Sequence, residues 1–243
     1  MEQTGRMGQE VLKQIQTINN FEVVCGVDKF DSGDNSFPVY SNPNDIVESP
    51  DVIIDFSVPD ATINIVKYAV EKKIPIVVAT TGFNEEQLNT LKEYSKNLPI
   101  FRAANMSYET NIMADLVSKL AVQLSDSDIE IVETHHNKKV DSPSGTALFL
   151  ADSINAALNN EMTYEYNRAA KKEKRTKKEI GIHSIRGGTV VGKHSVFFFG
   201  DNESFEISHT VDSRAVFAKG TLKAASFIIS QPNGFYSMSD LIK

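Results

Sequence analysis

Regular alternation of short apolar segments with amphipathic ones is the feature that most constrains how this chain can fold. Strands predicted at 51–56, 74–79 and 98–103 alternate with helices that begin near Pro59 and at Glu85. Strands that are separated by a helix pair in parallel, because the connection has to cross back over the sheet. The pattern therefore predicts an α/β fold with a doubly wound parallel sheet of the Rossmann type.

Mostly small or polar residues stand at the carboxyl end of each of these strands. They are Phe56 and Ser57; Ala79, Thr80 and Thr81; and Ala103, Ala104, Asn105 and Met106. Each group alone is ordinary turn sequence. Doubly wound sheets bind ligands at the carboxyl ends of their strands, so the recurrence at three successive ends predicts one binding crevice.

The amino-terminal segment carries part of a dinucleotide-binding fingerprint. Gly5, Arg6, Met7 and Gly8 open a helical pattern, as expected where a pyrophosphate meets a helix N-terminus, although two glycines before a helix can also serve only as a cap or turn. The complete fingerprint has a strand before its glycines, and no such strand is evident here. We therefore expect the first strand of the sheet to be missing.

A candidate ribose-binding carboxylate follows the next apolar segment. Residues 21–27 predict a buried strand that ends at Asp28, twenty residues after Gly8, where this carboxylate is expected. An acid there favours NADH by repelling a 2′-phosphate, whereas Lys29 can attract that phosphate. The pair predicts use of NADH or NADPH.

The loop from Glu133 to Thr146 concentrates the chemically versatile side chains. Four cationic or proton-donating residues fall within five positions, namely His135, His136, Lys138 and Lys139. Ser144 is a suitable N-cap for a helix that starts at Gly145 and Thr146, so free backbone N–H groups should point at a bound anion such as a carboxylate. A solvated charged loop is the alternative interpretation. A metal site is less favoured, since no H-E-x-x-H occurs and Cys25 is the single cysteine.

The string E-x-H-H-x-x-K-x-D-x-P-S-G-T-A, residues 133–147, resembles the signature loop of the dihydrodipicolinate reductase family. The resemblance implies NAD(P)H-dependent reduction of 4-hydroxy-tetrahydrodipicolinate to tetrahydrodipicolinate, with loss of water, on the diaminopimelate route to lysine. It implies that His135 and Lys139 form the acid/base pair, that His136 helps to bind substrate, and that Gly145 and Thr146 hold a carboxylate. Ser144, the predicted cap of the same helix, is included with these substrate-binding residues. It assigns the three strand ends to the nicotinamide side of the cofactor.

The resemblance also implies a domain organisation. Relatives carry an apolar strand and a glycine before T-G-R-M-G, and Glu2 occupies the place of that glycine. Residues 1–107 and 214–243 would form the dinucleotide-binding domain. Residues 108–213 would form a second α+β domain, with a mainly antiparallel sheet, that binds substrate and pairs with other subunits in a homotetramer.

The carboxyl-terminal half contributes fewer chemical signals. Strands predicted at 182–186, 189–199 and 205–211 indicate an antiparallel meander, and the basic segment 159–179 is expected to be an exposed loop or frayed helix. Arg186 and His209 could approach a substrate, but a turn and a half-buried histidine are the favoured interpretations.

Composition excludes some classes of function. A net charge of −7 argues against broad affinity for nucleic acid or acidic membranes, and no apolar run approaches the roughly 20 residues that span a bilayer. The lone Cys25 permits no internal disulfide and fits a cytoplasmic setting. Two alternatives stay open: a dehydrogenase of another small dicarboxylate, and a non-catalytic nucleotide sensor.

Overall fold

A computed structural model describes residues 5–18, 20–29, 33 and 35–242. The chain folds into two compact units. The first unit comprises Met1–Tyr108 and Arg214–Lys243, and the second comprises Glu109–Ser213. No helix among the described residues is long and apolar enough to cross a membrane.

The first unit is built around a parallel sheet. Its amino-terminal elements are α1 (Arg6–Ile15), β1 (Gly26–Val27), β2 (Val39–Tyr40), β3 (Ile53–Asp55), α2 (Pro59–Lys72), β4 (Ile76–Val78), α3 (Glu85–Tyr94) and β5 (Pro99–Arg102). The predicted helix start at Glu85 is confirmed: the Asn84 side chain accepts from Gln87 N at 2.8 Å, and the Gln87 side chain accepts from Asn84 N at 3.0 Å.

The second unit is a mixed sheet with helices. Its elements are α4 (Tyr108–Gln123), β6 (Asp128–His135), α5 (Gly145–Ala157), β7 (Thr163–Glu165), β8 (Glu179–Arg186), β9 (Gly192–Phe199) and β10 (Ser204–Val211). The chain then returns to the first unit with α6 (Ala215–Ile228), β11 (Gly234–Tyr236) and α7 (Met238–Leu241).

Helices cover both faces of the four-stranded parallel sheet, whose order is β11-β5-β4-β3. Val77 and Phe101 pack with the residues of α1 and α6 on one face, whereas Ile76, Val78 and Ile100 pack with α2 and α3 on the other. Alternate strand residues thus supply two cores. The predicted doubly wound α/β class is confirmed.

The predicted buried strand at 21–27 is wrong in extent. Only Gly26 and Val27 form a strand, which pairs in parallel with β2 in a separate two-stranded sheet. Glu22 and Val24 are exposed, and residues 20–25 lie across a cavity of about 520 Å³ from residues 49–54. A strand needs a hydrogen-bonded neighbour, and before Gly26 this segment has none among the described residues.

The expected absence of a first strand concerns residues that the structure does not describe. The first element of the described residues is α1, and the residues before Gly5, including Glu2, lie outside them.

The second unit has the strand order β10-β9-β6-β8-β7. β6 is central, antiparallel to β9 and parallel to β8, and the two outer pairs are β10 with β9 (antiparallel) and β7 with β8 (parallel). The predicted α+β unit is confirmed, with a mixed sheet. The predicted meander is confirmed for β9 and β10, which pair antiparallel, but it is wrong for β8 and β9, because β6 lies between them and residues 187–191 cross over it. The periodicity of a sequence cannot identify which strand is a given strand's neighbour.

The basic segment between β7 and β8 is tied to acidic residues of the same unit. Lys171 pairs with Glu165 at 2.5 Å, Lys178 pairs with Glu161 at 2.6 Å, and Arg175 pairs with Asp128. Its positive charge is therefore compensated locally rather than presented as a continuous basic surface.

One close approach in the first unit requires glycine. A Cβ at Gly220 of α6 would lie 1.7 Å from the carbonyl oxygen of Met106. The helix can pack against the Met106 backbone only because this position has no side chain.

Candidate active site

The predicted strand, loop and helix around 133–146 are present in the second unit. β6 ends at His135 and α5 begins at Gly145, with Ser144 as its N-cap. Burial alternates along β6, so that Glu133 and His135 share its buried face. The loop therefore starts at a strand end whose last inward residues are a carboxylate and an imidazole.

Glu133 is the centre of a polar cluster. Its side chain is fully buried and accepts a hydrogen bond from His135 Nδ1 at 2.6 Å. Arg186 donates to both carboxylate oxygens, at 2.8 and 2.7 Å, and the backbone N–H of Ser144 donates at 3.1 Å. Burial alone would raise the pKa of Glu133, but hydrogen bonds from Arg186, Ser184 and His135 lower it to about 2.

An ionised Glu133 determines which nitrogen of His135 can face a ligand. The carboxylate only accepts, so Nδ1 of His135 carries the proton of their hydrogen bond. Gly192 lies beside the other nitrogen: a Cβ there would be 3.1 Å from Nε2. Burial lowers the pKa of His135, Glu133 opposes that shift, and Lys139 and Arg186 add to it.

Lys139 is held next to the same cluster. Its ammonium pairs with Asp141 at 2.8 Å, and its backbone N–H donates to the His136 carbonyl at 3.2 Å. Arg186 also donates to the Asp141 carbonyl at 2.7 Å. The hydrogen bond from Lys139 lowers the pKa of Asp141. Arg186 thus joins the loop to Glu133.

The predicted carboxylate-binding turn has the expected helix-start geometry. Ser144 Oγ accepts from Ala147 N at 3.1 Å and lies 2.8 Å from His194 Nε2. Gly145 is exposed, with no atom within 4 Å of the place where a Cβ would stand, and Thr146 is half-buried. His136 Nδ1 is buried and has no hydrogen-bond partner among the described residues.

In the first unit, Asp55 organises two of the predicted strand ends. Its buried carboxylate accepts from Thr62 Oγ1 at 2.5 Å, from Thr80 Oγ1 at 2.9 Å and from Ser57 N at 3.2 Å. Thr80 Oγ1 also lies 3.2 Å from the Ser57 carbonyl. One carboxylate therefore fixes the turns that follow β3 and β4.

The other predicted cofactor residues differ in how they could contact a ligand. Ala103 and Met106 are buried in the core, so only their backbone groups remain for binding, whereas Phe56 and Ala79 pack against the core and stay half-buried. Ala104 and Thr81 are exposed, and the Asn105 side chain accepts from Ser107 N at 2.9 Å, which shapes the turn after β5.

The start of α1 suits an anion. Gly5 is its N-cap, the first intrahelical bond runs from Gln9 N to Gly5 O at 3.2 Å, and the first turn contains no acidic residue. The N–H groups of Arg6, Met7 and Gly8 precede that bond, as in helices that bind phosphate. Asp28 is buried at the end of β1 and Lys29 is exposed. These residues fit a dinucleotide cofactor.

Sequence reasoning missed several residues that build the site. Glu133 stands in the recognised string, and strand alternation could have placed it on the face of His135. Arg186 was set aside as part of a turn, yet it lies beside His135 in the parallel register of β8 and β6. His194 carried no signal, because it acts through a partner distant in sequence. Asp55 stands at a strand end that was expected to line the crevice, but its hydrogen bond to Thr80 across the sheet could not be predicted from the sequence.

Comparison with known proteins assigns both halves of the chain to one family. Residues 3–106 match the family model described as dihydrodipicolinate reductase, N-terminus, and residues 110–242 match the model described as dihydrodipicolinate reductase, C-terminus.

Individual relatives and a solved structure agree. A 4-hydroxy-tetrahydrodipicolinate reductase of Caldanaerobacter subterraneus subsp. tengcongensis is 52% identical, over 98% of this chain and 95% of its own length. The protein of the same name from Clostridium tetani is 46% identical, over 98% and 93%. Dipicolinate-bound dihydrodipicolinate reductase from Paenisporosarcina sp. TG-14 superposes with a TM-score of 0.80 at 25% identity, covering 96% of this chain and 94% of that one. The chain therefore belongs to the dihydrodipicolinate reductase family.

Proposed function

We propose that this protein reduces 4-hydroxy-tetrahydrodipicolinate to tetrahydrodipicolinate with loss of water, using NADH or NADPH. The observation that carries the proposal is the Glu133 cluster, which fixes an imidazole, a guanidinium and a helix start around one buried carboxylate. The first unit would bind the dinucleotide. The second would bind the dicarboxylate and supply protons.

The cofactor would be held by the start of α1 and by the strand ends. The N–H groups of Gly5 to Gly8 would receive the pyrophosphate, and Asp28 and Lys29 would meet the adenosine ribose. The turns fixed by Asp55, together with Ala103 to Met106, would contact the nicotinamide side. When bound, NADH or NADPH supplies the hydride.

The second unit would hold a dianion and manage its protons. The N–H groups at Gly145 and Thr146, the Thr146 hydroxyl and the unpartnered His136 Nδ1 would bind carboxylate oxygens. His135, as an imidazolium, would donate its Nε2 proton to the substrate atom on which negative charge develops after hydride addition, while ionised Glu133 holds Nδ1 and stabilises the imidazolium beforehand. Lys139, whose ammonium lies 2.8 Å from the Asp141 carboxylate, would supply the proton that replaces the one donated by His135.

Assembly and location complete the proposal. The sheet face opposite α5 exposes stacked Phe197 and Phe199, whose centroids are 5.6 Å apart, and Ile185 is 51% exposed on the same face. Apolar area of this kind favours burial between subunits, and we propose a homotetramer. Half-buried Cys25, whose thiol pKa is raised by burial, is compatible with a cytoplasmic enzyme.

Turnover tests the reaction directly. NADH and NADPH oxidation should be measured with substrate generated in situ from pyruvate and aspartate semialdehyde by the preceding synthase. We expect His135→Ala and Lys139→Ala to lower kcat by about 100- to 10,000-fold, because each removes a proton-transfer group. His136→Ala should mainly raise KM. Exposed Lys138→Ala is the matched control and should leave both constants unchanged.

The same variants separate the competing functions. A non-catalytic sensor would bind nucleotide yet be indifferent to Lys139→Ala. A dehydrogenase of another dicarboxylate would turn over a different imino or keto acid. Wild-type kinetics in both His135→Ala and Lys139→Ala would contradict the acid/base assignment.

The pH dependence of kcat tests the role of Glu133. His135 acts in its protonated form, so kcat should fall as pH rises through the pKa of His135. Removing the carboxylate in Glu133→Gln leaves Arg186 unpaired and lowers that pKa further, so the basic limb should move to lower pH. Glu130→Gln changes the neighbouring carboxylate on the opposite face and should not move it. A basic limb that stays in place in Glu133→Gln would rule out His135 as the titrating acid.

Cofactor choice tests Asp28 and Lys29. The kcat/KM values for NADH and NADPH should differ by less than about a thousandfold, roughly 4 kcal/mol, because the acid and the base oppose each other. Lys29→Ala should reduce kcat/KM for NADPH and leave that for NADH unchanged. An equal effect on both would show that Lys29 does not meet the 2′-phosphate.

Sedimentation equilibrium tests the assembly. The wild type should have the mass of four chains, and Phe199→Glu should dissociate it by placing a charge on the apolar face. Phe205→Glu is the matched control, since Phe205 is 49% exposed and pairs with Phe198, on the other face. A monomeric wild type would contradict the proposed assembly.

A further inference from the structure

His194 is a buried histidine to which the reaction above gives no task. It lies in β9 beside Glu133 in the antiparallel register with β6, and its side chain is 5% exposed. Its Nε2 is 2.8 Å from Ser144 Oγ, and its ring meets that of His135 edge to face, with centroids 5.1 Å apart. A polar side chain this deeply buried needs a partner, and here the partner is the N-cap of the candidate carboxylate-binding helix.

The direction of the Ser144 hydrogen bonds follows from counting protons. Ser144 Oγ accepts the N–H of Ala147 at 3.1 Å, so its single hydroxyl proton is available to His194. Among the described residues this buried hydroxyl has no other acceptor within hydrogen-bond distance, so its proton is satisfied only if His194 Nε2 accepts it, which requires a neutral imidazole protonated at Nδ1. Burial, followed by the charge of nearby His135, lowers the pKa of His194 to about 4, so the ring is neutral near pH 7.

Ser144 is consequently fixed by three hydrogen bonds. Its N–H donates to Glu133, its oxygen accepts from Ala147, and its hydroxyl donates to His194. Glu133 also holds His135 at 2.6 Å. The start of α5 is thus fixed to the two adjacent strands that carry these side chains.

We infer that His194 is a positioning residue for dicarboxylate recognition: it holds the Ser144 hydroxyl so that the N–H groups at the start of α5 keep one alignment relative to His135. The inference rests on the proposed function, because it takes the ligand of this turn to be a carboxylate. His194 would act through Ser144 rather than by contacting the substrate itself.

The test compares variants that keep or remove the acceptor. His194→Phe keeps a ring but cannot accept, and we expect the Kd of pyridine-2,6-dicarboxylate, measured by calorimetry with NADH present, to rise about five- to tenfold. The KM of the substrate should rise similarly, while the KM of NADH stays constant. His194→Gln can place an amide oxygen near the position of Nε2 and should restore most of the affinity.

A double-mutant cycle isolates the Ser144 contact. Ser144→Ala should weaken binding at least as much as His194→Phe, and adding His194→Phe to Ser144→Ala should weaken it no further. His183→Phe is the matched control: His183 pairs with Val132, the neighbour of Glu133 on β6, and therefore lies on the opposite face of the sheet. This variant should bind like the wild type.

The outcomes distinguish this inference from the proposed reaction. Unchanged dicarboxylate affinity in His194→Phe, additive losses in the cycle, or an equal loss in His194→Gln would overturn the role of His194. If His194→Phe does not fold, His194→Asn, whose shorter amide leaves the Nε2 position empty, must show the same loss. A wild type that binds pyridine-2,6-dicarboxylate without turnover would refute the reaction alone, whereas one that binds none would refute the inference.

Discussion

The second unit depends on one buried ion pair, Glu133 with Arg186. Two hydrogen bonds of 2.7 and 2.8 Å join them, and the carboxylate is fully removed from water. Loss of the arginine from such a pair costs about 3–5 kcal/mol, because the carboxylate is left charged and fully buried. His135 and Ser144 N add hydrogen bonds to the same carboxylate, so the groups that would perform the chemistry also satisfy the charge. The contacts that stabilise this unit are therefore the same ones that would position the proposed catalytic groups.

The position of β6 makes this arrangement possible. As the central strand it has β8 on one side and β9 on the other, so Arg186 and His194 approach Glu133 from opposite edges. In a sequential meander β8 and β9 would be neighbours, and these two side chains could not flank one carboxylate. The mixed topology, which the strand pattern did not predict, is therefore a requirement of the site.

The sequence was most informative where structure is local. The alternation of strands and helices, the cap at Asn84 and the turn at Ser144 depend on neighbouring residues, and each formed as expected. The strand predicted at 21–27 is wrong in extent because an apolar segment indicates what a strand could bury, but not whether a neighbouring strand is present to form hydrogen bonds with it. Arg186 and His194 were missed for a related reason, since their partners are about 50 residues away and depend on sheet order.

Both units fix the segment that follows a strand by hydrogen bonds to a buried carboxylate, but the donors differ in charge. In each unit, a buried carboxylate near the carboxyl end of a strand accepts hydrogen bonds from the segment that follows. Asp55 accepts from Ser57 N and from two threonine hydroxyls, and Glu133 accepts from Ser144 N. Asp55 is satisfied by neutral donors, which suits a turn that needs only a fixed shape. Glu133 is bound to a guanidinium and an imidazole, so its charge also acts on a group that titrates. That difference matches the proposed roles of the two units, of which the first would bind the cofactor and the second would transfer a proton.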